Sequence, residues 1–233
     1  WDRMSPQAKQ YSRAHYFGLV SFLDKQVGRL LDYLDARGLR ENTIVLLTAD
    51  HGDCLGDHGI FFKTCFLKGS VNIPFIVSAP GQGVPAGATL ETPVGQEDAL
   101  PTLCDLAGVP PPAGICGKSL RGVMSGGGFD RPYYVAETCG QSNMVFDGTW
   151  KYIYSELEAT EELYCVKDDP DEMRNLAAGD PKRVAAMREV LIQWLKDTGD
   201  EQMLGKDGRL ARRAFNAAEH RREMSQCLGL RPY

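Results

Sequence analysis

Asp50 and His51 stand side by side at the end of the apolar run Thr43-Ile-Val-Leu-Leu-Thr-Ala49, with Gly52 directly after them. A carboxylate is a hard anionic oxygen donor, suited to a divalent cation that offsets the charge of a bound oxyanion. An imidazole beside it also accepts softer ions, so ligand type admits Mn2+ or Zn2+ as well as Ca2+. Lys63, further along the same loop, offers a point positive charge of the kind that stabilises charge developing in a transition state. Lys68 either shapes substrate choice or is merely solvated. Asp53, Asp57 and His58 crowd the loop between. A second metal could be made from them, as in two-metal phosphatases, but loop capping and hydrogen bonding are the commoner duties of such residues. Taken singly, Asp50 would pass for a turn or cap residue, His51 for a buried structural histidine and Lys63 for surface decoration.

The elements that must position these residues are legible in outline. The residues from Thr43 to Thr48 are mostly β-branched or apolar and do not alternate with polar ones, which suits a strand buried on both faces in a parallel α/β sheet. Ligands of such sheets gather at the carboxyl ends of the strands, and Gly52 lets the backbone turn away there. Upstream, Tyr16, Leu19, Val20, Leu23, Val27, Leu30, Leu31 and Leu34 recur at three- and four-residue steps, the stripe of an amphipathic helix, and Gly38 follows as its C-cap. Helix then strand argues for an α/β crossover unit.

Residues 73–78 predict a second core strand and Thr92–Val94 a short one. A helix from about Asp98 is stopped by Gly108 and Pro110-Pro-Pro112, and the Gly-rich stretch 112–128 reads as a surface linker. After Pro132, the segments Tyr133–Glu137, Met144–Gly148, Thr149–Tyr154 and Glu162–Cys165 predict an antiparallel meander with a hairpin at Asp147-Gly148. Asn143, Arg174 and Asn175 fit turn and sheet-closing roles. Val184–Leu195 carries Val184, Met187, Val190, Leu191, Trp194 and Leu195 on one helical stripe. The expected organisation is a core over 1–128, a small sheet-plus-helix subdomain over 129–199 and a polar tail over 200–233.

Composition excludes more than it assigns. With 233 residues, 43% hydrophobic and 24% charged, the chain can bury a sizeable core. A formal charge of -5 gives no electrostatic reason to expect nucleic acid or an anionic membrane as partner. The basic residues Arg209, Arg212, Arg213, Arg221 and Arg222 alternate with other types and read as a solvated helix face. No apolar stretch approaches the roughly 20 residues of a membrane span. The seven cysteines show neither a Cys-x-x-Cys pair nor zinc spacing, and an odd number cannot pair completely. Reduced thiols in a cytoplasm fit this, while partner cysteines or a signal peptide upstream of Trp1 would leave export open.

The order of the motifs carries a resemblance. Asp50-His51-Gly52, Gly56-Asp57-His58-Gly59, Lys63, Val71-Asn-Ile-Pro74-Phe-Ile-Val77 and Pro80-Gly81 together resemble the sulfatase family, a branch of the alkaline-phosphatase-like hydrolases. Asp98-Ala-Leu-Pro101-Thr102, Gly117-Lys-Ser119-Leu120, Glu162-Leu-Tyr164 and Asp169-Pro170-Asp-Glu172-Met-Arg-Asn175-Leu176 follow in the family's order. The resemblance implies an α/β fold: a mixed, mainly parallel sheet flanked by helices, closed by a small C-terminal antiparallel sheet and helix. It implies sulfate-ester hydrolysis, with Asp50 and His51 as ligands of a divalent metal, most simply Ca2+, and with Lys63 contacting the sulfate and the leaving-group side. His51 and Lys63 would thus serve catalysis, and Lys68 would lie toward the substrate, where relatives often carry an acidic residue.

The family's paired metal-binding aspartates and its Cys/Ser-x-Pro/Ala-x-Arg motif, whose first residue becomes formylglycine, do not occur in these residues. Cys116-Gly-Lys-Ser-Leu-Arg121 lacks the proline and reads as the downstream Gly-x-Ser-Leu motif instead. The expectation is therefore the carboxyl-terminal half of a sulfatase. It would act on a sulfated small molecule or carbohydrate, depend on the N-terminal half of the same polypeptide, and be inactive alone. Phosphodiester or phosphonate monoester hydrolysis stands as the alternative, since sulfate and phosphate are both tetrahedral oxyanions, and a non-catalytic truncated module as another.

Overall fold

The Ser5 hydroxyl accepts the Ala8 N–H at 3.2 Å and Pro6 occupies the first turn, so helix α1 (Pro6–Ala36) starts where capping rules place it. Gly38, at φ 65, reverses the chain, and the Leu39 N–H returns to the Leu34 carbonyl at 2.9 Å. The computed structural model describes residues 4–138, 142–157, 159–200 and 203–212. It resolves two compact units, one built from the chain up to Lys63 together with Gly69–Asp130, the other from Thr64–Lys68 together with the chain from Arg131 onward.

In the first unit, β1 (Val45–Thr48) pairs with β2 (Phe75–Ser78), with Val45 opposite Ser78 and Thr48 opposite Phe75. The pairing is antiparallel, so the parallel character expected from the apolar run is not found between these two strands. The physical reason lies in the connection. A parallel pair needs a crossover, usually a helix, whereas the chain between β1 and β2 holds a 3-10 turn at Asp57–Gly59 and one short α-helix, α2 (Lys68–Val71). Both strands are half-buried, and Ile76 is exposed. The stripe on α1 is likewise uncovered, with Leu19, Val20, Leu23 and Leu30 exposed.

Helix α3 (Ala99–Leu106) follows a turn at Gln96–Asp98, while no strand forms at 92–94. The expected linker over 112–128 is not one. Helix α4 (Arg121–Met124) lies within it, and Leu120, Val123 and Met124 join Ala79 and Leu106 in a core against which Ile44, Phe75 and Val77 pack. Two sequence motifs interlock to make this core. The buried Asp98 carboxylate accepts the Gly95 N–H and the Lys118 N–H, both at 2.9 Å, and the Thr102 hydroxyl accepts the Leu120 N–H at 3.0 Å. A Cβ on Gly117 would lie 1.8 Å from the Glu97 carbonyl oxygen. Glycine is required there by close approach.

The second unit is a meander, β3 (Tyr134–Thr138), β4 (Ser142–Phe146), β5 (Trp150–Ser155) and β6 (Thr160–Cys165), paired antiparallel in chain order. The Asp147 carboxylate caps the β4–β5 hairpin by accepting the Thr149 N–H at 2.8 Å and the Trp150 N–H at 2.6 Å, and Gly148 sits at φ 90. Helix α5 (Pro181–Thr198) is capped by Asp180 and ended by Gly199. Its residues Val184, Met187, Leu191 and Leu195 pack with Val145, Tyr152, Tyr154 and Leu163. Each such fully buried aliphatic side chain contributes about 1.5–3 kcal/mol. Met203 joins that core, and Leu204 bridges Leu210. Arg213, Arg221, Arg222, Cys139 and Cys227 lie outside the described residues, among which Cys54, Cys65, Cys104, Cys116 and Cys165 take part in no disulfide. No described helix is long and apolar enough to cross a membrane.

Candidate active site

β1 ends at Thr48, and the Gln96 side-chain amide donates to the Ala49 carbonyl, so the segment carrying Asp50 and His51 is held from the α3 side of the first unit. Asp50 is exposed, and its Oδ1 accepts the His51 N–H at 2.9 Å. Gly52 then approaches the backbone of 69–70. Its N–H donates to the Ser70 carbonyl at 2.7 Å, and a Cβ there would lie 2.1 Å from the Gly69 carbonyl oxygen. Gly69 is equally constrained, because its own Cβ would come within 2.9 Å of the Cys54 Cα. Close approach of two backbones, rather than a sharp turn, is what requires glycine at 52.

This packing fixes the ring of His51. Its Nδ1 lies 2.8 Å from the Gly52 carbonyl oxygen, a contact that only an N–H can make. In the neutral ring the lone pair is then on Nε2, which faces Asp50 Oδ2 at 3.2 Å and also meets the Lys63 ammonium. A carboxylate oxygen, an imidazole lone pair and a mobile cation therefore converge on one point. The Nδ1–H to backbone carbonyl bond is the arrangement that orients metal-binding histidines.

The loop from Asp53 to Lys63 is wound tightly, with Leu55, His58 and Phe62 at positive φ, where side chains are strained. Asp53 Oδ1 accepts the Leu55 N–H at 2.7 Å, and bonds from Cys54 N–H to the Phe62 carbonyl and from Gly56 N–H to the Ile60 carbonyl, both 2.8 Å, close the loop. Arg13 of α1 donates to the Leu55 carbonyl at 2.8 Å and pairs with Asp57. Asp53 and Asp57 are thus engaged in capping and pairing. No group of three or more His, Cys, Asp or Glu among the described residues is placed to hold a metal. The Asp50–His51 donor pair fits a divalent cation in chemistry, and a hard cation, which takes six or more ligands, would need further donors beside it.

Lys68 belongs to the second unit. Its N–H donates to Glu172 Oε2 at 2.6 Å, and its ammonium lies 3.7 Å from Asp171 Oδ1. Asn175 accepts the Leu163 N–H at 3.1 Å and the Ala177 N–H at 3.0 Å, Arg174 N–H donates to Asp169 Oδ2 at 2.8 Å, and Asn143 is buried on β4 opposite Tyr154. Sequence reading passed over Arg13, Gln96 and Lys151. Lys151 carried a usable signal, since a lysine within the apolar run Trp150–Tyr154 demands a buried partner. Glu172 supplies it.

Residues 56–200 match the family model described as N-sulphoglucosamine sulphohydrolase, C-terminal, and residues 2–109 match the Sulfatase model. The fold is that of the alkaline-phosphatase-like hydrolases, and the chain belongs to the sulfatase family. It is 36% identical over 176 residues to choline-sulfatase of Rhizobium meliloti (strain 1021), covering 71% of this chain and 33% of that protein. It is 38% identical over 203 residues to the delta 4,5-hexuronate-2-O-sulfatase of Bacteroides thetaiotaomicron, covering 80% and 41%. The structure of the phosphonate monoester hydrolase of Agrobacterium radiobacter matches with a TM-score of 0.66 at 25% identity, covering 86% of this chain and 45% of that one. The chain thus spans less than half the length of each.

Proposed function

We propose that this chain is the carboxyl-terminal part of a sulfatase that hydrolyses sulfate esters, and that Asp50, His51 and Lys63 are its share of the active site. The observation that carries the reading is the convergence of Asp50 Oδ2 and the Lys63 ammonium on His51 Nε2. Asp50 and His51 would hold the divalent metal, Ca2+ most simply and Mn2+ or Zn2+ by ligand type. A cation bound there supplies positive charge against the oxygens of the ester. The Gly52 carbonyl keeps the imidazole turned so that Nε2 is presented. Lys63, on a flexible four-carbon stem, can leave Nε2 for an anionic oxygen and offset charge there as the ester bond breaks. Lys68 is assigned to the substrate side.

The nucleophile, a formylglycine, and the remaining metal ligands are assigned to the upstream half of the same polypeptide. The exposed apolar stripe of α1 and the half-buried pair β1 and β2 are the surfaces on which that half would pack, because an uncovered apolar face of this length is otherwise a liability. The chain alone is then inactive. The substrate class is a sulfated small molecule or carbohydrate, in line with the names of the choline-sulfatase and hexuronate-2-O-sulfatase relatives. Phosphonate monoester hydrolysis is the second reading, favoured by the match to the Agrobacterium radiobacter enzyme.

Steady-state rates of the complete protein with an aryl sulfate and with an aryl phosphonate monoester decide between them. A higher kcat/KM for the sulfate, lost on chelation and restored by Ca2+, is the expected result. Preference for the phosphonate would move the assignment to the second reading, and turnover of neither would leave a non-catalytic module.

A further inference from the structure

The pair Lys151–Glu172 is a deeply buried ion pair, with side chains 7% and 1% exposed. Burying two charges is costly, and an apolar pair of similar size would often be as stable or more so. What the charges do is therefore informative. Lys151, on β5, donates to the Phe66 carbonyl at 2.8 Å, and Glu172 Oε2 accepts the Lys68 N–H at 2.6 Å. The pair thus grips the backbone on either side of Leu67, and Phe66 and Leu67 are themselves buried.

Glu172 is itself held in an uncommon backbone state, at φ 55, by a turn built for it. Its N–H donates to the Asp169 carbonyl at 3.0 Å, and the Asp169 side chain accepts the Arg174 N–H. The Asp169-Pro-Asp-Glu172 motif, which the proposed chemistry does not use, presents one carboxylate to one short segment.

That segment, Thr64–Lys68, is peptide-bonded at one end to Lys63 and at the other to Gly69, the residue against which Gly52 packs. We propose that Lys151 and Glu172 are positioning residues for substrate binding, gripping 64–68 so that Lys63, peptide-bonded to the first residue of that segment, is held for the anionic substrate. This rests on the reading of Lys63 as the anion-binding lysine.

The test is made on the complete enzyme with an aryl sulfate, comparing Lys151→Met/Glu172→Met with wild type and with Lys63→Ala. The double substitution keeps volume and removes both charges together, so the protein should stay folded with Tm little changed. KM should rise by about tenfold to hundredfold, with kcat less affected, since small misplacements of binding groups have effects of that size. Amide exchange at Leu67 and Lys68 should quicken. Lys151→Met/Glu172→Gln, which removes both charges and keeps an acceptor for the Lys68 N–H, should restore part of the KM.

Faster exchange at 67–68 with KM within twofold of wild type would overturn the proposal and leave the pair a structural strap. Unchanged exchange would overturn it as well. An unchanged KM in Lys63→Ala would overturn the reading of Lys63 and the proposal with it, whatever the double variant does. If that variant does not fold, Lys151→Met/Glu172→Gln is judged by the same two readouts.

Discussion

His51 is steered by the residue that follows it: the Gly52 carbonyl takes the Nδ1 proton, and Nε2 is left for Asp50, Lys63 or a metal. Lys63 is exposed, so its removal should leave the fold intact. In the complete protein Lys63→Ala is expected to lower kcat/KM for an aryl sulfate by about 10²-fold, the usual loss when one stabilising donor is removed, with KM raised and the thermal midpoint unchanged. A midpoint shift of equal consequence would mean that Lys63 holds the loop together instead. Asp50 and His51 could be singled out in the sequence because an apolar run ending on Asp-His is a strong local pattern, whereas Lys63 was singled out only by the family resemblance. Their convergence could not, because it depends on positive-φ backbone at Leu55, His58 and Phe62 and on Arg13 reaching the loop from α1. The need for Gly52 was visible, but its cause, the passage of Gly69, was not.

The secondary elements divide by how local their causes are. The meander and α5 follow from the Asp147-Gly148 turn, the Asp180 cap and a stripe of apolar residues, all readable within a short window. The stretch 112–128 looked like a linker because what anchors it lies outside it, at Asp98, Thr102 and Asp105. The direction of β2 against β1 is likewise set by the path between them.

Two outcomes follow at this scale. Gly52→Ala should destabilise the chain by about 1–3 kcal/mol or more in urea unfolding, because the clash is with backbone that cannot rotate away. A loss within 0.5 kcal/mol, the size of an ordinary surface change, would contradict the packing described. The Ser119 hydroxyl donates to Asp105 at 2.6 Å and, against some desolvation, that bond and then Arg121 hold the Asp105 carboxyl below its ordinary value of 3.8. The folded state then binds this proton less readily than the unfolded one, so the stabilisation is fully present above pH 3.8 and is lost as pH falls through the lower folded value. Ser119→Ala should therefore be less stable than wild type near neutrality, and the gap should narrow on acidification below that value. A gap that widens in acid would reverse the assignment.

At the scale of the molecule, the exposed stripe on α1 and the limited span of the chain relative to its family point the same way. An apolar face this extended binds hydrophobic dyes and self-associates. The 233-residue chain on its own is expected to bind anilinonaphthalene sulfonate strongly and to sediment above its monomer mass, and the complete protein to do neither. A monodisperse, dye-silent chain would show that α1 needs no cover. The central claim, that Asp50 is a metal ligand of a sulfatase site, is tested most directly by aryl sulfate turnover in the complete protein carrying Asp50→Ala. Loss of measurable turnover that added Ca2+ does not restore is the expected result, whereas kcat and KM near wild type would contradict the assignment.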